Sequence, residues 1–336
     1  MIKPNLKLYQ AVTLSLIVFL FLKPVVFTDY FHLDDIYFYS HSAGLFTGIN
    51  DGRTAIWAKL LYHRSFFSIA LIKLIIFCIY LVASFCIFNF IYSRTNNFIY
   101  GLFISLLPFT AFTHVILMGF TMAFVASSFQ MLLILVTLIA FNNKNRKSFA
   151  LYSLAIFGTL FINQSFTIYS YLILLSLYIY PFKKTIANIK QNLLIEKLFI
   201  IHLLTFIPYL IFVKITHYYF HLSGVRFSGA ILPNIGDLSV KLNLALTSLG
   251  PWSIIPSDYT YIPILLIPIS LVLVKLTQEK SYKKLVFTLF IFLFSSYIGL
   301  VGEPYYRAWW PAQCFGLIAL AYFLLFQIKK NGPLIL

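Results

Sequence analysis

The chain has 336 residues, of which 61% are hydrophobic, 19% aromatic and only 10% charged. A soluble core cannot enclose so much apolar surface, so the composition excludes a soluble globular protein and predicts an integral membrane protein. A formal net charge of +16 would indicate nucleic acid in a soluble protein, but here the basic residues fall between apolar runs and no nucleic-acid partner is expected.

Apolar runs bounded by polar clusters predict an all-α fold, a polytopic bundle of about ten transmembrane helices that forms one membrane domain over residues 1–336. The predicted spans are 8–27, 66–92, 98–116, 120–141, 148–162, 166–180, 198–213, 259–274, 285–301 and 314–328. The first span follows Lys3 and Lys7 and has no small-residue cleavage site. It is therefore expected to be a retained helix and not a cleaved signal peptide.

The charges predict how the loops are distributed between the two sides. The termini and the loops 93–97, 142–147, 181–197 and 275–284 carry sixteen basic residues and two acids, whereas the opposite loops carry seven of each. By the positive-inside rule, both termini are predicted to be cytoplasmic and the opposite loops external.

Two neighbouring spans, 148–162 and 166–180, are predicted to be short. With about fifteen residues each at about 1.5 Å per residue, they reach roughly 22 Å, less than the roughly 30 Å of the hydrocarbon core. The turn Asn163-Gln164-Ser165 is therefore expected to lie sunk in the outer leaflet, where its amides must bond to protein, water or a ligand.

Three external segments concentrate the remaining polar residues. The first loop, 28–65, contains the neighbouring carboxylates Asp34 and Asp35 among aromatic residues. The second region, 214–258, is predicted to include a surface helix opened by Asp237, and the third, 302–313, reads GEPYYRAWWPAQ. Asp34 and Asp35 either cap a short helix in a solvated loop or are functional, and charge this close to a span favours function.

These residue types suit sugar transfer on a lipid-borne substrate. A carboxylate can take the proton of an acceptor hydroxyl, and guanidinium groups can neutralise the departing lipid phosphate. Aromatic faces can hold a sugar ring, although an interfacial aromatic belt explains them equally well. Neighbouring residues do not share a face, so Asp34 and Asp35 are expected to have different roles, one as base and the other as a metal ligand or arginine partner.

The first span, the external LDDIYF that contains Asp34 and Asp35, and the later Gly52-Arg53 together resemble the serotype-converting O-antigen glucosyltransferases of phage and bacteria. Those are polytopic glycosyltransferases of the GT-C superfamily. The resemblance implies a bacterial inner-membrane enzyme that moves a sugar, usually glucose, from a polyprenyl-phosphate donor to a surface polysaccharide, with inversion and an external catalytic aspartate. It also implies a functional link to a flippase and to a donor synthase.

The resemblance and the chemistry together give the candidate site residues. Asp35 and Asp34 are the candidate catalytic residues. The candidate donor-binding residues are Arg53, Lys73, Gln164, Glu303 and Arg307. The candidate sugar-stacking residues are Tyr37, Tyr305 and Trp309. In the turn at Gln164, Asn163 stands where the family has tyrosine.

Two other classes of function stay open. A polysaccharide ligase or polymerase also meets lipid-linked sugars on the external face. A flippase would carry its ionisable groups in mid-membrane, whereas here only Lys23 and Lys73 lie within predicted spans, near their external ends, where they either snorkel or reach a lipid phosphate. No cofactor is assigned, and a divalent cation, Mg²⁺ or Mn²⁺, on Asp34 or Asp35 remains an option.

Overall fold

A computed structural model describes residues 8–26, 69–110, 121–162, 164–180, 182, 185–220, 235–248, 266–301 and 310–330. Within these ranges the regular structure is helical and no β-strand occurs. The α-helices are α1 (Leu8–Val26), α2 (Ile69–Thr95), α3 (Phe98–Thr110), α4 (Thr121–Asn143), α5 (Arg146–Leu160), α6 (Gln164–Ile179), α7 (Ile186–Tyr219), α8 (Leu238–Ser248), α9 (Leu266–Gln278), α10 (Tyr282–Val301) and α11 (Trp310–Lys330).

The helices lie where the apolar runs predict them. A helix occupies each of the ten stretches predicted as spans, and α8 begins directly after a 3₁₀ turn at Ile235–Asp237, where Asp237 was expected to open a helix. Within the described residues, two helices, α2 and α7, are long and apolar enough to cross a membrane by length and composition.

The largest difference from the sequence prediction concerns α7, which was expected to cover 198–213. It begins twelve residues earlier, after Thr185, whose side-chain oxygen accepts a hydrogen bond from the backbone N–H of Asn188 at 3.3 Å. The polar residues at 186–197 interrupt the apolar run, yet Lys, Gln and Glu are good helix formers and do not interrupt the helix. Most of the predicted loop 181–197 is therefore helical, and the second external region begins only after Tyr219.

Three turns of one type join helices at one end of the bundle. Asn96, Lys144 and Lys280 have φ angles of 50°, 55° and 51°, and each follows a helix whose end it closes with a backbone hydrogen bond. A left-handed residue just after a helix satisfies carbonyl groups that the helix leaves unpaired. The connections from α2 to α3, from α4 to α5 and from α9 to α10 are therefore tight reversals.

Side-chain contacts hold these turns together. The Arg94 guanidinium donates to the Asn142 side-chain oxygen at 2.9 Å and also lies 3.9 Å above the ring of Phe90. The hydroxyl of Tyr180, just after α6, donates to the backbone oxygen of Thr95 at 3.4 Å. These bonds bring the connections after α2, α4 and α6 to the same end.

Glu196 of α7 connects α10 to the same group of helices. One of its carboxylate oxygens accepts from the Tyr178 hydroxyl at 2.8 Å, and the other pairs with the Lys283 ammonium at 2.7 Å. We call this assembly the basic end; it comprises the segments 93–97, 142–147, 178–197 and 275–284. The four loops that the charge pattern placed on one side are thus joined by direct contacts.

Candidate functional site

The candidate loops join the described helices at the end that faces away from the basic end. Helix α2 reaches the basic end at Thr95, so its first residue, Ile69, lies at the opposite end, where residues 27–68 lead into it. Helix α10 starts at the basic end beside Lys283, so Val301 lies at the opposite end, where residues 302–309 follow. The chain therefore enters both predicted loops from one end of the bundle, which we call the opposite end.

Most of the candidate site residues lie outside the described residues. They are Asp34, Asp35, Tyr37, Arg53, Glu303, Tyr305, Arg307 and Trp309. Their predicted roles in catalysis, donor binding and sugar stacking remain predictions. Of the candidates, the structure describes Lys73 and Gln164, and both lie at the opposite end.

Lys73 lies on the inner face of α2 and has only 3% of its surface exposed. It is 22 residues, or about 33 Å at 1.5 Å per residue, from Thr95 at the basic end. Lys23 of α1, the other lysine predicted within a span, is exposed. The snorkelling alternative therefore fits Lys23 but not Lys73, whose side chain is enclosed by the protein.

Gln164 opens α6 and is 1% exposed. Its amide nitrogen donates to the hydroxyl of Tyr209 on α7 at 2.5 Å. The turn was expected to bond to protein, water or a ligand, and this partner is protein. Phe161, in the same turn, packs edge-on against Tyr209 at a ring distance of 5.3 Å. Gln164 lies sixteen residues from Tyr180, or about 24 Å along the helix, which is less than the roughly 30 Å of a hydrocarbon core.

A second buried lysine, in α8, was not singled out from the sequence. Lys241 of α8 is 3% exposed, although its neighbour Leu242 is 48% exposed. The sequence analysis predicted α8 as a surface helix opened by Asp237, which said nothing about Lys241. Burial of a charged amine is costly unless it is paired, so a lysine in such a place favours an anionic partner.

His202 of α7 is another buried group that sequence reasoning did not single out. It is fully buried, and within the described part of the chain neither ring nitrogen has a hydrogen-bond partner. Its ring instead lies 4.7 Å from that of Tyr171 and 5.6 Å from that of Phe294. The available signal was a lone histidine inside the apolar run 198–213.

The described helices hold no group of three or more His, Cys, Asp or Glu side chains that could bind a metal ion. The residues proposed for a divalent cation, Asp34 and Asp35, lie outside the described part. Comparison of the chain with protein-family models, with curated proteins and with solved structures finds no match. The family resemblance therefore depends on the residues quoted for it in the sequence.

Proposed function

We propose that the chain is a polytopic membrane glycosyltransferase that moves a sugar from a polyprenyl-phosphate donor to a cell-surface polysaccharide. The sugar is expected to be glucose, the acceptor an O-antigen, and the active site periplasmic. The proposal places the protein in a bacterial inner membrane with both termini in the cytoplasm. It draws on the charge pattern and on the resemblance around Asp34, Asp35, Gly52 and Arg53.

One structural observation carries most weight in this proposal. The basic loops meet at one end of the bundle, and the loops with the candidate carboxylates and arginines leave from the other. Polyprenyl phosphates place their charged group at a membrane surface, so one end with acids, arginines and aromatics suits such a substrate. The buried amine of Lys73 lies at this same end and suits the phosphate.

In the proposed reaction, a carboxylate of Asp35 or Asp34 takes the proton of the acceptor hydroxyl while its oxygen attacks the anomeric carbon of the donor. The new bond joins this carbon to the acceptor oxygen. The bond from the anomeric carbon to the donor phosphate breaks, and polyprenyl phosphate leaves with the bonding electrons. Arg53 and Arg307 stabilise the departing phosphate through paired, charge-assisted hydrogen bonds.

The test is transfer of sugar from a polyprenyl-phosphate donor to surface glycan, measured in membranes that carry Asp34→Asn, Asp35→Asn or both changes. Asn keeps the size of Asp but is not a base, so the double variant should lose about 10²–10⁴ in rate. The protein should still insert and accumulate as before. The same membranes assayed with and without EDTA report whether transfer needs a divalent cation.

A well-expressed double variant that retains near wild-type transfer would show that this loop is not catalytic. The polysaccharide ligase or polymerase and the flippase are then the functions to test. Ligation would be detected as joining of a preassembled lipid-linked glycan. Flipping would be detected as loss of protection from external periodate of a labelled lipid-linked sugar that starts in the inner leaflet.

A further inference from the structure

Three cations surround the start of α5 where it lies beside α7. The Lys197 ammonium lies 4.3 Å above the ring of Phe149, in the first turns of α5, and Arg146 and Lys147 begin that helix. All three side chains are exposed, and none forms an ion pair with another residue that the structure describes. Glu196, the sequence neighbour of Lys197, points elsewhere and is bound by Lys283.

Two of these cations, Lys147 and Lys197, each lie at the start of a row of exposed apolar side chains. Lys147 and Lys197 are each followed, one and two helical turns further along, by leucine or isoleucine on the same face. The rows are Leu151 and Leu154 on α5 and Ile200 and Leu204 on α7, which are 47%, 69%, 55% and 61% exposed. Positive charge at the head of an apolar strip matches a phospholipid, with its phosphate at the head and its acyl chains along the strip.

A groove of about 340 Å³ runs between the two rows. Its walls are apolar, and its polar element is the pair of hydroxyls of Ser153 and Thr205, 2.8 Å apart, which bond to each other across the two helices. The groove extends to Pro208, eleven residues from Lys197. That is about 16 Å along α7, roughly half of a 30 Å hydrocarbon core and thus the depth available to one acyl chain in one leaflet.

We propose that this surface binds one anionic phospholipid of the cytoplasmic leaflet. The headgroup phosphate lies against Arg146, Lys147 and Lys197, and one acyl chain fills the groove between α5 and α7. The N-terminus of α5 adds partial positive charge on the side where the phosphate lies. The proposal requires that the chain spans a membrane but does not depend on sugar transfer, since the three cations that it uses lie at the basic end.

The test is lipid binding to the purified full-length protein in detergent, measured by native mass spectrometry. The probes are phosphatidylglycerol, phosphatidylcholine with the same acyl chains, and glycerol 3-phosphate. The test variant is Lys147→Gln with Lys197→Gln. The matched control is Lys275→Gln with Lys280→Gln, which removes the same charge from the turn between α9 and α10, where Lys275 pairs with Glu279.

The wild-type protein should retain one phosphatidylglycerol per chain in preference to phosphatidylcholine. The test variant should bind it about 30-fold more weakly, because each cation near a lipid headgroup contributes about a factor of five. The control variant should bind as the wild type does. A third variant, Lys147→Arg with Lys197→Arg, keeps the charge and should retain the lipid, which separates lost charge from misfolding.

Three results would overturn the proposal. One is equal affinity of the wild type for phosphatidylglycerol and phosphatidylcholine, which would show that charge is not recognised. Another is an equal loss in the test and control variants, which would indicate a general effect of surface charge. The third is binding of glycerol 3-phosphate as tight as that of the lipid, since the groove would then contribute nothing.

Discussion

Charged side chains have different environments at the two ends of the bundle. At the basic end, Arg94, Glu196 and Lys283 have protein partners within 3 Å and join neighbouring helices. At the opposite end, Lys73 is enclosed by the protein. Charge at a helix end in contact with water costs little and can position helices, whereas charge inside costs much and is retained for function. We therefore expect changes at the basic end to affect stability and changes at the opposite end to affect activity.

The largest expected effect is an all-or-none difference in labelling. A cysteine at Asn50 should react with an impermeant thiol reagent added outside the cell, and one at Asn143, beside the turn after α4, should react only after permeabilisation. The positive-inside rule gives this direction. The background chain has Cys78, Cys86 and Cys314 replaced by alanine. The reverse labelling would exchange the two ends and remove the candidate loops from the external face.

The next effect is on activity at the opposite end. Lys73→Met should lower sugar transfer by about 10- to 100-fold, because a hydrogen bond from a charged group is worth about 1.5–3 kcal/mol. The midpoint of thermal unfolding is measured on the same samples, so that transfer is compared per folded molecule. Lys23→Met, at an exposed lysine, is the control and should change neither. Full transfer by Lys73→Met would contradict the role of Lys73 in phosphate binding.

At the basic end, the matched comparison is Glu196→Ala against Glu279→Ala. Glu196 has two partners and a side chain that is 16% exposed, whereas Glu279 is 41% exposed and pairs with Lys275 at 3.5 Å within one helix. Glu196→Ala should lower the free energy of unfolding by about 1–2 kcal/mol, and Glu279→Ala by less than about 0.5 kcal/mol. Denaturant unfolding in detergent measures both, and transfer per folded molecule should be unchanged. Equal losses in the two variants would refute the structural role of Glu196.

The smallest expected effect concerns the turn between α9 and α10. Lys280 has a φ angle of 51°, which costs a residue with a side chain about 1–2 kcal/mol relative to its right-handed conformation. Lys280→Gly should raise stability by about 0.5–1 kcal/mol, whereas Gly at Lys275, inside α9, should lower it by about 1 kcal/mol. Denaturant unfolding of the two variants and of the wild type checks the sign of the change in the free energy of unfolding at each position. A lower stability for Lys280→Gly would contradict the turn geometry.

Much of the fold could be predicted because hydropathy and charge are local properties. The ten apolar runs each contain a helix, and the four loops grouped by their basic residues meet in the structure. The extension of α7 to Ile186 was not predicted, because a polar helix and a polar loop have the same hydropathy. The Thr185 cap was a local sign of the helix start, but a lone threonine is too common to decide it.

The candidate site was less predictable. That Gln164 would need a protein, water or ligand partner followed from the shortness of the two spans around it. The sequence did not predict that Tyr209 is this partner, because Tyr209 is 45 residues away and several other polar side chains were equally eligible. Asp34 and Asp35 remain predictions from the sequence, supported by their place after the first apolar run and by the family resemblance.

The sequence by itself determined which stretches contain a helix and which connections share an end, since apolar runs form the helices and alternation of helix direction fixes the ends. Only the tertiary structure decided which side chains face inward. Helix α2 is apolar around its whole circumference, so nothing in its own pattern selects a face. Packing against α1, α3 and α4 sets its rotation, and that rotation buries Lys73 while it leaves Leu74 half exposed.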